Sequence, residues 1–318
     1  MKGALVCRDN SRLSVLHGPV IAALGSFDGV HLGHQSLIQR MNEVKNSIAR
    51  YGKGTLVVIS FYPHPATVVR GVTHVPLLTT LRQKSEVLGA LGVTLVYAQH
   101  FTCAYSKRTA DEFIDEVLIK TLDVRYIVLG PDARVGFERK GDAKYIINGM
   151  EARGRGGEVL PFLELEHKKV SSGLVRECLL RGDVEAGKKL LGRYFELSGR
   201  VVTGEGRGRT IGVPTTNLKT SPVSIIPAFG VYATFAVIEG KEFKSVTNVG
   251  MRPTFNGKSP SVETHLLDSP SLSLVGIPLR IKFIKRLRDE IKFSDAKALV
   301  DQIKSDIEIA KAVLETST

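Results

Sequence analysis

The pattern of apolar residues changes partway along this 318-residue chain, near residue 186. Before that point, short apolar runs alternate with segments of helical periodicity. After it, short β-type runs follow one another between Gly and Pro turns. A chain of this length usually holds two domains, and each pattern favours a different architecture. We therefore expect one domain over residues 1–186 and a second over residues 187–318.

The first pattern predicts a Rossmann-like parallel sheet covered by helices. Residues 55–61 form a continuous apolar run, as expected for a strand buried on both faces. Residues 109–112 have the spacing of a capping box and open a helix. The remaining predicted elements are strands at 20–27, 93–97 and 125–129 and helices at 33–50 and 81–91. Ligands of such sheets bind at the carboxyl ends of the strands.

The second pattern predicts an antiparallel β-barrel followed by a helix. The clearest strand signals lie at 200–202, 231–238, 245–249 and 279–284. We expect Ser294 to cap a final helix that runs to about residue 315, because an apolar stripe at helical spacing follows it.

The cysteine content favours a reducing compartment. Cys7, Cys103 and Cys178 are far apart and odd in number, so they suggest neither a disulfide framework nor a metal cluster. No apolar run is long enough to span a bilayer, and the first apolar stretch breaks too early for a signal peptide. We therefore expect a cytoplasmic protein.

The formal net charge of +12 suits either anionic small molecules or nucleic acid. No Lys/Arg run is interleaved with aromatic residues, as it would be in a single-strand binder. We expect small-molecule substrates, no specific nucleic-acid or membrane partner, and a monomer or weak homo-oligomer. A basic nucleic-acid-binding protein remains the alternative from the binding class.

A first candidate phosphate site spans residues 25–34, Gly-Ser-Phe-Asp-Gly-Val-His-Leu-Gly-His. It follows a predicted strand and opens a helix, where unpaired N–H groups and the helix dipole favour an anion. Gly29 and Gly33 let the backbone approach a phosphate closely. His31 and His34 are three positions apart, so both imidazoles can donate to one triphosphate.

The first site lacks an obvious nucleophile–base pair. An acceptor that is itself a phosphate is already ionised at neutral pH and needs no general base. Attack of such an acceptor on the α-phosphorus of ATP then requires only positioning and stabilisation of the departing pyrophosphate. A class I aminoacyl-tRNA synthetase shares similar histidines, but the chain lacks the partner motif Lys-Met-Ser-Lys-Ser and is short for one.

A second candidate phosphate site centres on residues 214–217, Pro-Thr-Thr-Asn. Thr215 and Asn217 offer hard oxygen ligands two residues apart on one strand face, which suits Mg²⁺. The Gly-rich stretch 204–209 precedes them, without the Gly-Lys-Ser/Thr of a Walker A loop. Glu263 is the candidate base: it shares a strand face with His265 and Leu267, opposite to that of Val262 and Thr264. We expect His265 to be structural.

Together these motifs resemble the bacterial bifunctional riboflavin kinase/FAD synthetases. The resemblance covers residues 20 to 310 and rests on the segments 25–34, 61–65, 199–204, 208–217, 230–233, 248–255 and 287–293. It implies an N-terminal FMN adenylyltransferase domain of the nucleotidyltransferase fold and a C-terminal riboflavin kinase domain with a six-stranded barrel. The implied ligands are ATP, Mg²⁺ and the flavins riboflavin, FMN and FAD.

The motifs and the resemblance together nominate the following site residues. The expected catalytic residues are Glu263, His31 and His34. The expected ATP- and phosphate-binding residues are Gly25, Phe27, Asp28, Gly33, Ser171, Ser172, Arg176, Gly204, Arg209, Gly212 and Pro214. The expected flavin-binding residues are Phe61, Pro63, His64, Asp132 and Arg288, and the expected metal ligands are Thr215 and Asn217. For Ser172, a plain helix cap is the alternative interpretation.

The chain departs from the family pattern in two segments of the first domain. Ala133 and Val135 stand where the family usually has aromatic residues, and Gly173 and Leu174 replace a Thr-Arg pair. These departures motivate a further alternative, a monofunctional riboflavin kinase with a weakened adenylyltransferase domain. Retention of Asp28, both histidines and the 61–65 motif argues for the bifunctional interpretation.

Overall fold

The computed structural model of the protein describes residues 3–48, 54–69, 71, 75–204, 212–254, 257–267, 274–293 and 295–316. Its contacts divide the chain into two compact units, Met1–Ser172 and Gly173–Thr318. The segment between residue 173 and the predicted boundary near 186 therefore packs with the second unit. The domain boundary between residues 186 and 187 stays a prediction.

The first unit is built on a six-stranded parallel sheet. Its strands, including short hairpin pairs outside the main sheet, are β1 (Leu5–Cys7), β2 (Val20–Leu24), β3 (Thr55–Tyr62), β4 (Leu95–His100), β5 (Val124–Leu129), β6 (Arg134–Val135), β7 (Gly141–Asp142), β8 (Gly156–Val159), β9 (Glu164–Leu165) and β10 (Lys168–Lys169). Its helices are α1 (Leu32–Ile48), α2 (Pro65–Val69), α3 (Leu81–Ala90), α4 (Ala110–Phe113) and α5 (Ala143–Glu151). The predicted parallel sheet with covering helices is confirmed.

The strand order β1-β4-β3-β2-β5-β8 places a reversal of direction between β2 and β5. The chain runs outward from β2 through β3 and β4 on one side, and through β5 and β8 on the other. At such a switch point the connections leave the carboxyl ends of the two central strands in opposite directions, and a crevice opens between them. The loops after Leu24 and Leu129 flank this crevice, so the motif at residues 25–34 lies where a ligand is expected.

Local signals placed most elements of the first unit to within a few residues. The capping box is present: the Thr109 hydroxyl accepts from the Glu112 amide at 3.1 Å, and the Glu112 carboxylate accepts from the Thr109 amide at 2.6 Å. The helix that it opens widens into a π-helical segment over Ile114–Thr121. The strand predicted at 20–27 ends at Leu24, because the backbone then leaves the extended conformation.

The second unit is a closed antiparallel barrel with helices, which confirms the predicted fold class. Its strands are β11 (Phe195–Val202), β12 (Thr216–Thr220), β13 (Gly230–Ile238), β14 (Lys241–Thr254), β15 (Gly257–Leu266) and β16 (Pro278–Arg288). Around the barrel they follow the order β11-β12-β15-β14-β13-β16. Its helices are α6 (Ser172–Leu180), which begins at the last residue of the first unit, α7 (Val184–Leu191) and α8 (Ala296–Glu315).

A chain of buried hydroxyls crosses the barrel interior. The hydroxyl oxygens of Thr234 and Ser245 lie 2.8 Å apart, those of Thr234 and Thr247 2.8 Å apart, and those of Thr247 and Thr264 2.9 Å apart. All four side chains are fully buried. Because each hydroxyl can donate one hydrogen bond and accept others, the chain satisfies buried polar groups and ties β13, β14 and β15 in register.

The last helix packs on the outside of the barrel. Ala310 and Leu314 of α8 are fully buried in a cluster with Ala233, Phe235 and Ile284. Asp295 is the N-cap, since its side chain accepts from the Ala298 amide at 2.8 Å. The prediction of Ser294 as cap was therefore one residue early, and Ser294 itself lies outside the described residues.

Among the described residues, no helix is both long enough and apolar enough to cross a bilayer. The three cysteines are free, with Cys7 and Cys178 buried and Cys103 exposed.

Candidate active sites

The loop after β2 is held in an unusual backbone conformation. Phe27 and Val30 have φ values of 47° and 42°, and Gly29 has 79°. Positive φ is unfavourable for residues with a Cβ, especially a β-branched one, so the surrounding contacts must hold the loop in place. One of these contacts is a hydrogen bond from the Gly25 amide to the Ile59 carbonyl of β3, at 3.0 Å.

Asp28 anchors this loop from within the protein. Its side chain is 2% exposed, and its carboxylate accepts from the Leu78 and Thr79 amides at 3.0–3.1 Å. The Gly29 amide donates in turn to the Thr79 hydroxyl at 3.0 Å. Asp28 therefore directs its carboxylate at buried amides and holds the loop, and its expected contact with phosphate stays a prediction.

Three rings stack at the start of α1. The centroids of His31 and His34 are 3.7 Å apart with planes at 22°, and those of Phe27 and His34 are 4.6 Å apart at 28°. The structure thus brings the two motif histidines face to face. Nδ1 of His34 is buried and has no hydrogen-bond partner in the described part of the chain.

The environment of His34 keeps its imidazole neutral. Burial lowers its pKa well below the usual value, and the neighbouring charges of His31 and Lys84 lower it further. Removing an imidazolium from water is unfavourable, and a second cation nearby adds repulsion. A neutral imidazole presents one N–H donor to a phosphate oxygen and carries no proton to lose at neutral pH.

Gly33 allows close backbone packing at the first turn of α1. A Cβ at this position would lie 3.2 Å from Nδ1 of His31 and 3.5 Å from the Val170 carbonyl oxygen. The missing side chain therefore lets the His31 ring and the Val170 carbonyl lie close to the first turn of α1.

The Ser171–Ser172 pair reaches the same loop. The Ser172 hydroxyl donates to the Asp28 carbonyl at 2.8 Å, although the two residues are 144 positions apart. Ser172 is the first residue of α6, and its hydroxyl serves the loop rather than a helix end. Ser171 precedes it directly, and Arg176 lies one turn further along α6, within the second unit.

Phe61, at the end of β3, belongs to an aromatic cluster. Its ring lies 5.4 Å from that of Phe101 and 6.2 Å from that of Tyr105, measured between centroids. The peptide bond between Tyr62 and Pro63 is cis. His64 is engaged locally, because its Nδ1 accepts from the Ala66 amide at 3.2 Å.

Asp132 lies after β5, across the switch point from the loop at residues 25–34. Its carboxylate is exposed and accepts from Lys169 Nζ at 3.2 Å. The two departures from the family pattern beside it, Ala133 and Val135, are buried in the core of the first unit. Both side chains pack into the core. Because neither carries a ring, these two positions offer no aromatic contact to a ligand at this edge of the sheet.

In the second unit, Glu263 lies at the centre of a row of polar residues on the outer barrel face. It is directly opposite Asn217 of β12 and directly opposite Asn248 of β14. Cross-strand partners share one face of a sheet, so the three side chains project to the same side. Glu290 reaches this row from beyond β16: its Oε1 lies 2.3 Å from where a Cβ of Gly250 would be.

Thr215 completes the row just before β12. Its hydroxyl oxygen lies 3.5 Å from Glu263 Oε2. Pro214 is held by His265, whose Nδ1–H donates to the Pro214 carbonyl at 2.8 Å, in agreement with a structural role for this histidine. Gly212 has φ of 79°, a conformation that favours glycine.

Gly204 packs against the same row. A Cβ on Gly204 would lie 2.1 Å from Nδ2 of Asn217, so a larger residue here would displace a site residue. Arg209, also expected at the phosphate site, lies outside the described residues.

The donor set fits Mg²⁺ better than a transition metal. Within the residues that the structure describes, no three His, Cys, Asp or Glu side chains gather as a metal cluster. Instead, Thr215 and Asn217 offer a hydroxyl and an amide oxygen, with the Glu263 carboxylate beside them. Hard oxygen ligands, completed by water and substrate phosphates, are what Mg²⁺ prefers.

Arg288, expected to contact flavin, is bound to the last helix. Its Nε and NH2 donate to the Asp306 carboxylate at 2.8–3.0 Å, and its NH1 donates to the Asp289 carbonyl at 2.8 Å. Asp306 is 3% exposed and also accepts from Gln302 at 2.9 Å. The guanidinium is thus fixed in orientation, and a flavin contact through its remaining surface stays a prediction.

The structure also places at these sites several residues that the sequence did not predict. Thr79 and Lys84 contact the loop after β2, and Asn248 and Glu290 lie at the Glu263 row. Asn248 and Glu290 fall inside the segments 248–255 and 287–293, which carried the resemblance, so a signal was present. For Thr79 and Lys84, the only signal in the sequence is the predicted start of a helix nearby, which does not indicate a site.

Comparison with known families assigns both halves of the chain. The family model for FAD synthetase matches residues 14–174, and the family model for riboflavin kinase matches residues 191–314. The matched segments contain the loop after β2 and the Glu263 row, respectively.

Similar proteins extend over nearly the whole chain. The bifunctional riboflavin kinase/FMN adenylyltransferase of Bacillus subtilis is 36% identical over 291 residues, 90% of each chain. That of Escherichia coli K12 is 34% identical over 288 residues, again 90% of each chain. A crystal structure from Streptococcus pneumoniae described as a macrolide-efflux protein superposes with a TM-score of 0.85 at 28% identity and covers 97% of this chain and 98% of its own. The chain therefore belongs to the bifunctional riboflavin kinase/FMN adenylyltransferase family.

Proposed function

We propose that the chain makes FAD from riboflavin in two consecutive reactions, with the residues of the two sites in the roles given below. The second unit transfers the γ-phosphoryl group of ATP to riboflavin, which yields FMN and ADP. The first unit transfers the adenylyl group of a second ATP to FMN, which yields FAD and pyrophosphate. The observation that carries this proposal is the pairing of a carboxylate-centred site in one unit with a histidine-lined loop in the other, where an acceptor that is already ionised needs no base.

The kinase reaction needs a proton acceptor, because the terminal hydroxyl of riboflavin is a weak nucleophile. Glu263 is the carboxylate at the centre of the Asn217–Asn248 row, on a rigid barrel strand. It orients the hydroxyl and accepts its proton as the oxygen attacks the γ-phosphorus, and ADP leaves. The amides of Asn217 and Asn248 flank it and hold substrate oxygens in position.

Thr215 and Asn217, with Glu263 beside them, would hold Mg²⁺ together with the ATP phosphates. When bound, the ion neutralises phosphate charge. Gly204 keeps room for the Asn217 amide in this arrangement.

The adenylyltransferase reaction needs no base, since the phosphate of FMN is already ionised. Its oxygen attacks the α-phosphorus of ATP, and pyrophosphate departs with the bonding electron pair. The stacked His31 and His34 and the N-terminal amides of α1 donate hydrogen bonds to the phosphates. Phe61 and Asp132, at the carboxyl ends of β3 and β5, are the proposed flavin contacts of this site.

We infer that these substrates, rather than nucleic acid, explain the basic composition, and that the enzyme works in the cytoplasm. Both proposed sites take anionic phosphates, which a net charge of +12 favours. The three cysteines are free, as suits a reducing compartment.

The direct test is to incubate the purified full chain with riboflavin and MgATP and to separate the flavins by chromatography. We expect FMN to appear first and FAD afterwards. FMN without FAD would support the monofunctional alternative, and absence of FMN would refute the kinase assignment.

Reciprocal variants assign the two reactions to their sites. Glu263→Gln should lower FMN formation by a factor of about 10²–10⁴, the usual contribution of a general base, and leave FAD formation from supplied FMN intact. His31→Ala should do the opposite. Loss of both activities in either variant would contradict the assignment of one reaction to each unit.

A further inference from the structure

Lys84 of α3 reaches into the loop after β2 and is not used by the reactions described above. Its ammonium donates to the Ser26 carbonyl oxygen at 2.5 Å. The Ser60 hydroxyl of β3 donates to the same oxygen at 3.2 Å. The loop is therefore held at Ser26 from two sides, and one of the two donors is a cation.

The segment before Lys84 grips the same loop two residues further on. The Leu78 and Thr79 amides bind the Asp28 carboxylate, and the Thr79 hydroxyl accepts from the Gly29 amide. The Thr80 capping box then starts α3, which carries Lys84 one turn later. Residues 78–84 thus form one continuous clamp on residues 26–29, and Lys84 supplies its positive charge.

The position of this charge matters for the phosphate site. The carboxylate of Asp28 is nearby and opposes the effect of burial, which lowers the pKa of Lys84. Lys84 in turn lowers the pKa of His34, so its field extends to the stacked imidazoles. Because His34 is neutral, it provides a hydrogen bond to phosphate, whereas Lys84 provides charge beside the loop.

We propose that Lys84 is a positioning residue of the adenylyltransferase site: it fixes the Ser26 carbonyl, and its charge behind the loop favours the triphosphate and the departing pyrophosphate. The proposal deepens the function proposed for the first unit and rests on it. A hydrogen bond alone would make Lys84 a structural element, so the charge is the part to be tested.

Three substitutions separate charge from hydrogen bonding. Lys84→Gln keeps a donor without charge, Lys84→Arg keeps both, and Lys84→Met removes both. We expect Lys84→Gln and Lys84→Met to lower kcat/KM for FAD formation at least about tenfold, through both KM for ATP and kcat, and Lys84→Arg to recover most of it. Lys120→Gln, at an exposed lysine paired with Glu116, is the matched control.

Two internal measurements keep the test decisive. FMN formation by the second unit of the same chain should be unchanged in all variants, which excludes a loss of chain, and histidine NMR signals of the first unit that differ from those of the unfolded chain show that this unit stays folded. The pKa of His34, measured by NMR on histidine-labelled full chain and assigned with His34→Gln, should rise in Lys84→Gln and stay low in Lys84→Arg. Wild-type activity in Lys84→Gln, or an unchanged His34 pKa, overturns the proposal. A wild-type chain that makes no FAD refutes the function proposed for the first unit, while the NMR comparison still decides the role of Lys84.

Discussion

The hydroxyl of Ser172 donates a 2.8 Å hydrogen bond to the backbone carbonyl of Asp28, although 144 residues separate them. Asp28 is itself bound through its carboxylate to the Leu78 and Thr79 amides. The loop after β2 is therefore fixed from two distant parts of the first unit. This matters because the loop contains two non-glycine residues at positive φ, a conformation that persists only when the surroundings enforce it.

Ser172→Ala should weaken the adenylyltransferase site alone. Loss of one neutral hydrogen bond costs about 1 kcal/mol, which corresponds to about a fivefold loss in the rate of FAD formation. Ser47→Ala is the matched control, because the Ser47 hydroxyl donates only within α1, to the Val44 carbonyl at 2.8 Å. Both rates are measured from supplied FMN. If the two variants behave alike, the Ser172–Asp28 bond does not position the loop.

Gly204→Ala should impair the kinase. The added Cβ would lie 2.1 Å from Nδ2 of Asn217, far inside van der Waals contact, and Asn217 is held on a barrel strand. Its amide must move out of the Glu263 row, so we expect FMN formation to fall at least about tenfold. FAD formation from supplied FMN is the control in the same sample and should be unchanged. Normal kinase activity would show that the loop at Gly204 yields without disturbing the site.

Asp306→Asn should destabilise the second unit. The change removes the charge that a buried carboxylate supplies to Arg288, and breaking such a pair costs about 3 kcal/mol. We expect kinase activity to be lost at a lower temperature than in the wild type. Asp301→Asn, an exposed position on the same helix, is the control. Equal thermal inactivation of the two variants would mean that the Arg288–Asp306 pair contributes little to stability.

The low pKa of His34 predicts a pH dependence of stability in the first unit. Burial is the main cause, followed by His31 and Lys84. In the unfolded chain the imidazole binds a proton as the pH falls through about 6.5, whereas the folded chain resists protonation until a lower pH. The unfolded state then binds more protons, so stability is full above about pH 6.5 and declines below it.

His34→Gln should make this decline shallower. The measurement is the opening free energy of the β2 and β3 amides, from hydrogen exchange corrected for intrinsic rates, at about pH 7 and about pH 5. The wild type should lose more protection between the two values than the variant does. An equal loss would show that other groups cause the acid sensitivity.

The elements that local patterns encode could be predicted. The apolar run at 55–61 became β3, since a strand buried on both faces has no polar side to display. Thr109 and Glu112 formed their capping box, because both partners lie within one helical turn. The family motifs placed both candidate sites on the correct units, since each motif is contiguous or nearly so.

The contacts between distant segments could not be predicted. Lys84 and Ser26 are 58 residues apart, and nothing in either segment marks the other as its partner. The flavin contact expected of Arg288 stays a prediction, whereas the contact of its guanidinium with Asp306 of the last helix was marked by no motif. Ser172 had two interpretations, phosphate ligand or helix cap, and the structure shows a third, a donor to the Asp28 carbonyl.

The sequence by itself determined the two fold types, the position of the loop after β2 and the candidacy of Glu263, because apolar periodicity and short motifs act over a few residues. Only the tertiary structure decided the strand order that opens the crevice beside β2, and the register that sets Glu263 between Asn217 and Asn248. It alone decided the clamp that joins Lys84 to Ser26. These features depend on which surfaces bury each other when the whole chain packs. The free energy of that burial arises from contacts between two segments, so neither segment's sequence predicts it alone.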